Sequence, residues 1–369
     1  MVEETAMQVW RRRHGATSKT VSGVPLPAAY GEPDAEYDRL RTSAALLDLT
    51  ARGRLCVLGT DRVRFLNGQV TNDVKALVPG GGCYAALCTA KGRMEADLHV
   101  FQLGDELLLD LEPGLLPAVR NRLERFIVAD DVELLDASGA FGLLSVQGPR
   151  AGAVMASLDP ALSLPAAPFT IQSVPVEAFG EVHVANHPRL AGTGFEIYCP
   201  MATLPALAEE LLRRVKAVGG GLAGWDALET ARIEDGIPRY GQDMDATTLP
   251  PEAGLKERAI SYRKGCYIGQ ETLARLHIHG RPVRRLRGVR FRGDPGVLPV
   301  TGDPLFLAGK PVGQVTSTAW SPALKEPVAL AYVRREAEAH PEAVQLRTGN
   351  AEQHVRLVDL PLVKPEFWS

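Results

Sequence analysis

The chain has 369 residues, of which 45% are hydrophobic and 23% charged, with a formal net charge of −3. This length supports two or three domains and a well-buried core, and the composition is that of an ordinary globular protein rather than a disordered one. A near-neutral balance excludes a globally basic nucleic-acid-binding surface, and no uninterrupted apolar run reaches membrane-spanning length.

The chain starts Met1-Val2-Glu3-Glu4, without the basic then apolar order of a secretory signal, so a cytoplasmic location is expected. Residues 36–47 carry Tyr37, Leu40, Ala44 and Leu47 at helical spacing and predict a helix. A short apolar strand over 54–58 follows. Thr60 then offers an N-cap for a helix reaching Val70 that buries Val63 and Leu66. Strands near 83–89, 95–103 and 106–111, with a turn at Gly104-Asp105, predict an antiparallel meander. A helix over about 115–127 and strands near 131–135 and 141–147 complete an α+β unit that ends at Gly148-Pro149.

The Pro- and Ala-rich stretch 160–176 reads as a connection. Strands near 181–186 and 194–199, a helix over 204–218 stopped by three glycines, and a helix over 225–235 come next. The last of these ends at Gly236, and Pro238 forbids its continuation. From Leu286 onward, β-type runs at 289–291, 304–307, 312–316 and 328–333 alternate with Gly, Pro and Asp, which predicts a separate small β-barrel or sandwich.

Lys264-Gly265-Cys266-Tyr267-Ile268-Gly269-Gln270-Glu271 sets a thiol between glycines, beside a cation and just ahead of a predicted helix. Such a setting favours a thiolate, although a cysteine in a glycine-punctuated turn can equally be a small inert filler. Eleven Lys and Arg against two Glu fall between Lys256 and Arg292, so this segment carries +9 and the remainder −12. It is either a solvated basic face or an anion trap. The five cysteines, at 56, 83, 88, 199 and 266, suit a reducing compartment rather than a disulfide framework. Cys83 and Cys88 lack the second Cys/His pair that a zinc site needs, and His277 and His279 are poorly spaced for shared ligation on a helix.

Two polar clusters stand out. In 232–243, Glu234 can accept two N–H donors at once, as from an amino-pyrimidine edge, or can pair with Arg232 or Arg239. In Gly92-Arg93-Met94-Glu95-Ala96-Asp97, Asp97 can act as a general base if burial raises its pKa, or serve a turn or Arg93. Phosphate-loop, nucleophile-elbow and dinucleotide fingerprints are absent.

Together these clusters resemble the glycine-cleavage T-protein (aminomethyltransferase) superfamily, and within it the YgfZ-type folate-binding branch. The likeness runs from residues 36–49 through Phe65-Leu66, Thr71-Asn72-Asp73-Val74, Val146-Gln147-Gly148-Pro149 and the 232–243 cluster to Thr316-Ser317 and Trp320-Ser321-Pro322; the Lys-Gly-Cys-Tyr-x-Gly-Gln-Glu signature marks the branch. The resemblance implies an α+β three-domain cloverleaf: residues 1–150, then 151–285 with the Glu234 cluster and the Cys266 loop, then a C-terminal β-barrel over 286–369. It implies tetrahydrofolate or a one-carbon derivative in a central channel, with Glu234 gripping the pterin, Tyr84 and Tyr240 as walls, and Arg263 or Lys264 meeting the glutamate tail.

Two departures bear on activity. The family's Asp-Asp pair, whose first Asp is catalytic, corresponds here to Ala96-Asp97, and its Tyr-Thr-Gly-Glu segment is reduced to Leu190-Ala191-Gly192-Thr193-Gly194. The departures argue against glycine cleavage, and the resemblance to the YgfZ-type branch implies the first expectation: a folate-binding factor that supports assembly or repair of iron–sulfur clusters in client enzymes, with assembly proteins as further partners and Cys266 as its working residue. The alternative is a folate-dependent aminomethyl or methyl transferase using Asp97. A tRNA-binding module on the basic segment ranks last, because few aromatics interleave it.

Overall fold

The computed structural model describes residues 4–158, 163–291 and 298–364. The chain divides into two compact units, Met1–Ala85 with Asp97–Leu228, and Ala86–Ala96 with Glu229–Ser369.

In the first unit, strands Thr170–Val176, Gly180–Asn186, Gly194–Pro200, Phe141–Gln147, Ala45–Asp48 and Gly221–Leu222 lie side by side in that order. All neighbours are antiparallel except Gly221–Leu222, which runs parallel to Ala45–Asp48. The helix Leu204–Ala217 covers this sheet. Its apolar residues Leu204, Leu207, Ala208, Leu211, Leu212 and Val215 follow the three- and four-residue spacing of one helix face, and they pack on Leu144, Val146, Val184 and Ile197. Full burial of each of these leucine and valine side chains contributes about 1.5–3 kcal/mol.

A second sheet has the order Gly82–Cys88, Met94–Leu103, Glu106–Leu111, Gly53–Leu58 and Glu133–Asp136. The meander read from the sequence is present within a residue or two at each end. Residues 86–96, the reversal between its first two strands, belong to the second unit.

The second unit contains a closed six-stranded barrel of Arg284–Phe291, Glu326–Arg334, Lys310–Ser321, Pro304–Leu307, Gln345–Thr348 and Ala351–Val358. The last strand pairs back on the first through Gly288↔Val358 to Phe291↔Val355. Val289, Phe291, Leu305, Val315, Ala329, Ala331, Leu346 and Leu357 fill its interior.

Several expectations are corrected. The helix expected over 36–47 is Pro33–Thr42, and Ala45–Asp48 is a strand with all four residues buried. A strand covered on both faces loses the alternation of buried and exposed residues, and periodicity over four residues then does not separate it from a helix face. The connection expected over 160–176 contains the edge strand Thr170–Val176, where Pro175 is tolerated because an edge strand leaves one side of its ladder unpaired; residues 159–162 lie outside the described ones. Thr60 is not an N-cap. Asp61 takes that position, and Thr60 donates its hydroxyl to Asp131 at 2.7 Å. Val63 is only half-buried, while Phe65 and Leu66 carry the contact.

Candidate functional site

Asp97 and Tyr84 come together in the first unit. Asp97 stands on Met94–Leu103 and Tyr84 on Gly82–Cys88. The Tyr84 hydroxyl donates to Asp97 Oδ2 at 2.6 Å, and both side chains are nearly closed to water. The other oxygen, Asp97 Oδ1, is buried and has no hydrogen-bond partner among the described residues. Burial first, and the charge of Glu112 second, push the Asp97 carboxyl up to about 6, against the pull of Tyr84 and Arg52. Arg93, proposed as a partner for Asp97, instead donates to the Thr247 carbonyl and lies 3.8 Å from Glu252. Successive strand residues point to opposite faces. Asp97 therefore does not fill the place of fully buried Ala96; it lies on the face that carries Tyr84.

A buried polar network adjoins this pair. The Tyr84 ring stacks on His99 at 4.7 Å, and His99 meets His187 edge-on at 4.1 Å. His187 Nδ1 lies 2.8 Å from Glu196 Oε2. Arg189 bridges Glu196 and Asp110, and Arg52 grips both oxygens of Asp110 at 2.8 Å each. Burial lifts both carboxyls, yet the guanidinium groups outweigh it, holding Glu196 at about 2 and Asp110 well below the usual range. Burial, followed by neighbouring positive groups, lowers both histidines and favours neutral rings.

His99, Asp110 and His187 bring donor atoms within 4.8 Å of one another, a spacing that invites comparison with a metal centre. Two guanidinium groups already neutralise Asp110 and would repel a cation there. The trio is better explained as part of an ion-pair network.

In the second unit the 232–243 cluster is a lock on the barrel strand Lys310–Ser321. Arg232 bonds Glu229, the Ile237 carbonyl, Asp243 and the Ser317 hydroxyl. Asp243 accepts the hydroxyls of Thr316 at 2.5 Å and Ser317 at 2.7 Å. Arg239 pairs with Glu229 at 2.6 Å. Glu234 is fully buried; its Oε1 accepts the Ser321 hydroxyl at 2.5 Å, and its backbone carbonyl accepts from Leu362 and Val363. Tyr240 is half-buried and donates to the Met94 carbonyl at 3.4 Å.

Cys266 is exposed, whereas Cys56, Cys88 and Cys199 are buried and Cys83 is half-buried. The helix expected beside it is Gln270–His279, and its N-cap is Gly269, so the thiol lies outside the first turn rather than at the N-terminus. Gly269 has φ of +90°, and a Cβ there would stand 2.7 Å from the Thr89 carbonyl oxygen. Arg263 is exposed; Lys264 is buried, with its ammonium 4.9 Å from the centre of the Tyr267 ring.

Sequence reasoning missed the Arg52, Asp110, His187, Arg189 and Glu196 network. Its members lie as far as 144 positions apart along the chain, from 52 to 196, and the one local signal was charged residues on otherwise apolar strands.

The sequence matches the family described as GCVT N-terminal domain over residues 7–264 and the glycine cleavage T-protein C-terminal barrel domain over residues 284–364. The aminomethyltransferase of Geobacillus thermodenitrificans is 30% identical over 369 residues, covering 99% of both chains. That of Streptomyces coelicolor is 29% identical over 373 residues, covering 98% of both. Among solved structures, the glycine cleavage system aminomethyltransferase T of Bartonella henselae superposes with a TM-score of 0.85 at 23% identity over 98% of each chain, a likeness of fold.

Proposed function

The chain belongs to the glycine-cleavage T-protein family, and from that premise we propose that it binds tetrahydrofolate and acts in folate-dependent one-carbon transfer of the aminomethyltransferase type. The observation that carries this reading is the buried Tyr84–Asp97 pair, with its unpartnered oxygen and its pKa near 6. A carboxyl poised there can take up or give a proton near neutral pH, which suits a general base. This environment, together with full-length relatives named aminomethyltransferase, brings the transferase reading ahead of the iron–sulfur reading that the Ala96 replacement first favoured.

The residues present fit the cofactor in one direct respect: Asp97 Oδ1 is a buried acceptor that lacks a donor among the described residues, and an amine N–H would satisfy it. When bound, tetrahydrofolate supplies the nitrogen that accepts the one-carbon unit. Tyr84 orients the Asp97 carboxylate by holding Oδ2, and Asp97 holds or moves the proton at Oδ1. Glu234 is the residue that the family pattern assigns to the pterin, and the Ser321 hydroxyl fixes one of its oxygens.

Titration of tetrahydrofolate tests the binding half of this reading. The full chain is expected to bind it saturably, and Glu234→Gln to bind at least about tenfold more weakly, because a carboxylate accepting two donors is replaced by a group with one acceptor oxygen. No binding by the wild-type chain removes the folate reading.

A second reading rests on the exposure of Cys266 within its branch signature. It assigns this thiol to iron–sulfur cluster maintenance in client enzymes. Full restoration of cluster-enzyme activity by Cys266→Ala in a deletion strain would sink it.

A further inference from the structure

The second unit contains a cavity of about 420 Å³ between the residues around Glu252 and Lys256, the end of the helix Gln270–His279 and the start of the barrel strand Arg284–Phe291. We infer that it is a binding site for a phosphate monoester carrying a flat organic body, of the mononucleotide type.

Charge points to the phosphate. Lys256, Arg281 and Arg285 line the cavity, and Glu252 is its one acidic residue. Glu252 is already committed, its Oε2 accepting from the Leu249 amide at 3.1 Å and from Arg284 at 3.2 Å. The side chains of Arg281 and Arg285 are exposed and have no hydrogen bond or ion pair among the described residues, and Lys256 reaches only the exposed Glu257, at 3.6 Å. Two unneutralised guanidinium forks beside one cavity favour an anion that accepts in pairs, which phosphate does.

Shape points to the flat body. Tyr262 and His277 both line the cavity and stack on each other with ring centres 3.8 Å apart and planes 14° from parallel. They give one wall a flat aromatic surface against which a planar ring can lie. The volume falls within the range of small-molecule sites.

An unsatisfied group points the same way. The Tyr262 hydroxyl is buried with no hydrogen-bond partner among the described residues. A buried donor left unpaired is costly, and an oxygen or ring nitrogen of the ligand would pair it. Three of the eleven basic residues of the run read from the sequence, Lys256, Arg281 and Arg285, thus meet at one concave place, and Arg292 of that run lies outside the described residues.

The test is calorimetric titration of adenosine 5′-monophosphate into the full chain and into an Arg281→Gln/Arg285→Gln double variant, with adenosine, inorganic phosphate and a short RNA oligonucleotide in parallel. Circular dichroism checks that each variant is folded. One saturable site is expected for the monophosphate, weakened at least about tenfold in the double variant. Inorganic phosphate and adenosine are each expected to bind at least about tenfold more weakly than the ester. Tyr262→Phe keeps the stack and removes only the hydroxyl; it is expected to weaken binding about three- to tenfold, and it stands in if the double variant fails to fold. The inference is overturned if the monophosphate does not bind saturably, if the folded double variant and Tyr262→Phe bind as the wild type does, or if inorganic phosphate alone binds equally well. It is also overturned if only RNA binds, with the steep salt dependence of a backbone contact.

Discussion

A carboxylic acid taken out of water beside another negative charge keeps its proton to higher pH, and at Asp97 this makes stability depend on pH. Its folded pKa is raised to about 6, against about 3.9 for a free Asp side chain. The protonated form therefore favours the fold: the contribution is full below about pH 4 and is lost as pH rises through 6. Asp97→Asn, which cannot ionise, should match the wild type near pH 4 and exceed it by about 2 kcal/mol at pH 8, measured by urea unfolding at both pH values. A difference that does not change with pH would contradict the assignment. The ion-pair network behaves in the opposite sense. Glu196, held at about 2, contributes stability that is present above its unfolded value and lost as pH falls through the folded one. Arg189→Met leaves Glu196 and Asp110 short of a guanidinium at buried positions and should cost about 3–5 kcal/mol in denaturant unfolding at pH 7. Asp97 was legible in the sequence because it stands in a recognisable motif. Arg189 and Glu196 were not, since their meaning depends on Arg52 and Asp110, which chain proximity does not reveal.

Among the secondary-structure elements, the 232–243 segment ties the end of a helix to a strand of the barrel. The helix Trp225–Glu234 stops because Gly236 turns the chain with φ of +66°, and a Cβ there would stand 2.7 Å from the Leu360 Cβ. Gly236→Ala combines a left-handed backbone with a collision against a neighbouring segment and should destabilise by about 2–4 kcal/mol, read as a fall in Tm. Asp243 then ties the turn to the barrel by accepting from Arg232, Thr316 and Ser317. Asp243→Ala leaves the buried Arg232 without this carboxylate and should cost about 3–5 kcal/mol, measured by denaturant unfolding. The sequence placed Arg232 and Asp243 in one motif and Thr316 and Ser317 in another; the structure joins the two through hydrogen bonds. Amphipathic elements such as Leu204–Ala217 were legible because one buried face repeats every three to four residues. Ala45–Asp48 was not, because all four of its residues are buried on both faces of the sheet, which erases the alternation that identifies a strand.

Across the full chain, the family match spans both the N-terminal region and the barrel, and no helix among the described residues is long and apolar enough to cross a membrane. On one strand of that scaffold, Ala96 is fully buried and the neighbouring Asp97 has a carboxyl pushed up to about 6. The proposed function therefore rests on Asp97, oriented by Tyr84, handling the proton in folate-dependent one-carbon transfer. The decisive measurement is the rate of transfer from an aminomethylated carrier protein to tetrahydrofolate, followed against pH for the wild type and for Asp97→Asn. Turnover is expected to rise with pH through about 6 in the wild type, and to fall roughly 10²- to 10⁴-fold in the variant while tetrahydrofolate still binds. No turnover by a wild-type chain that binds tetrahydrofolate, or an Asp97→Asn variant as active as the wild type, would contradict it.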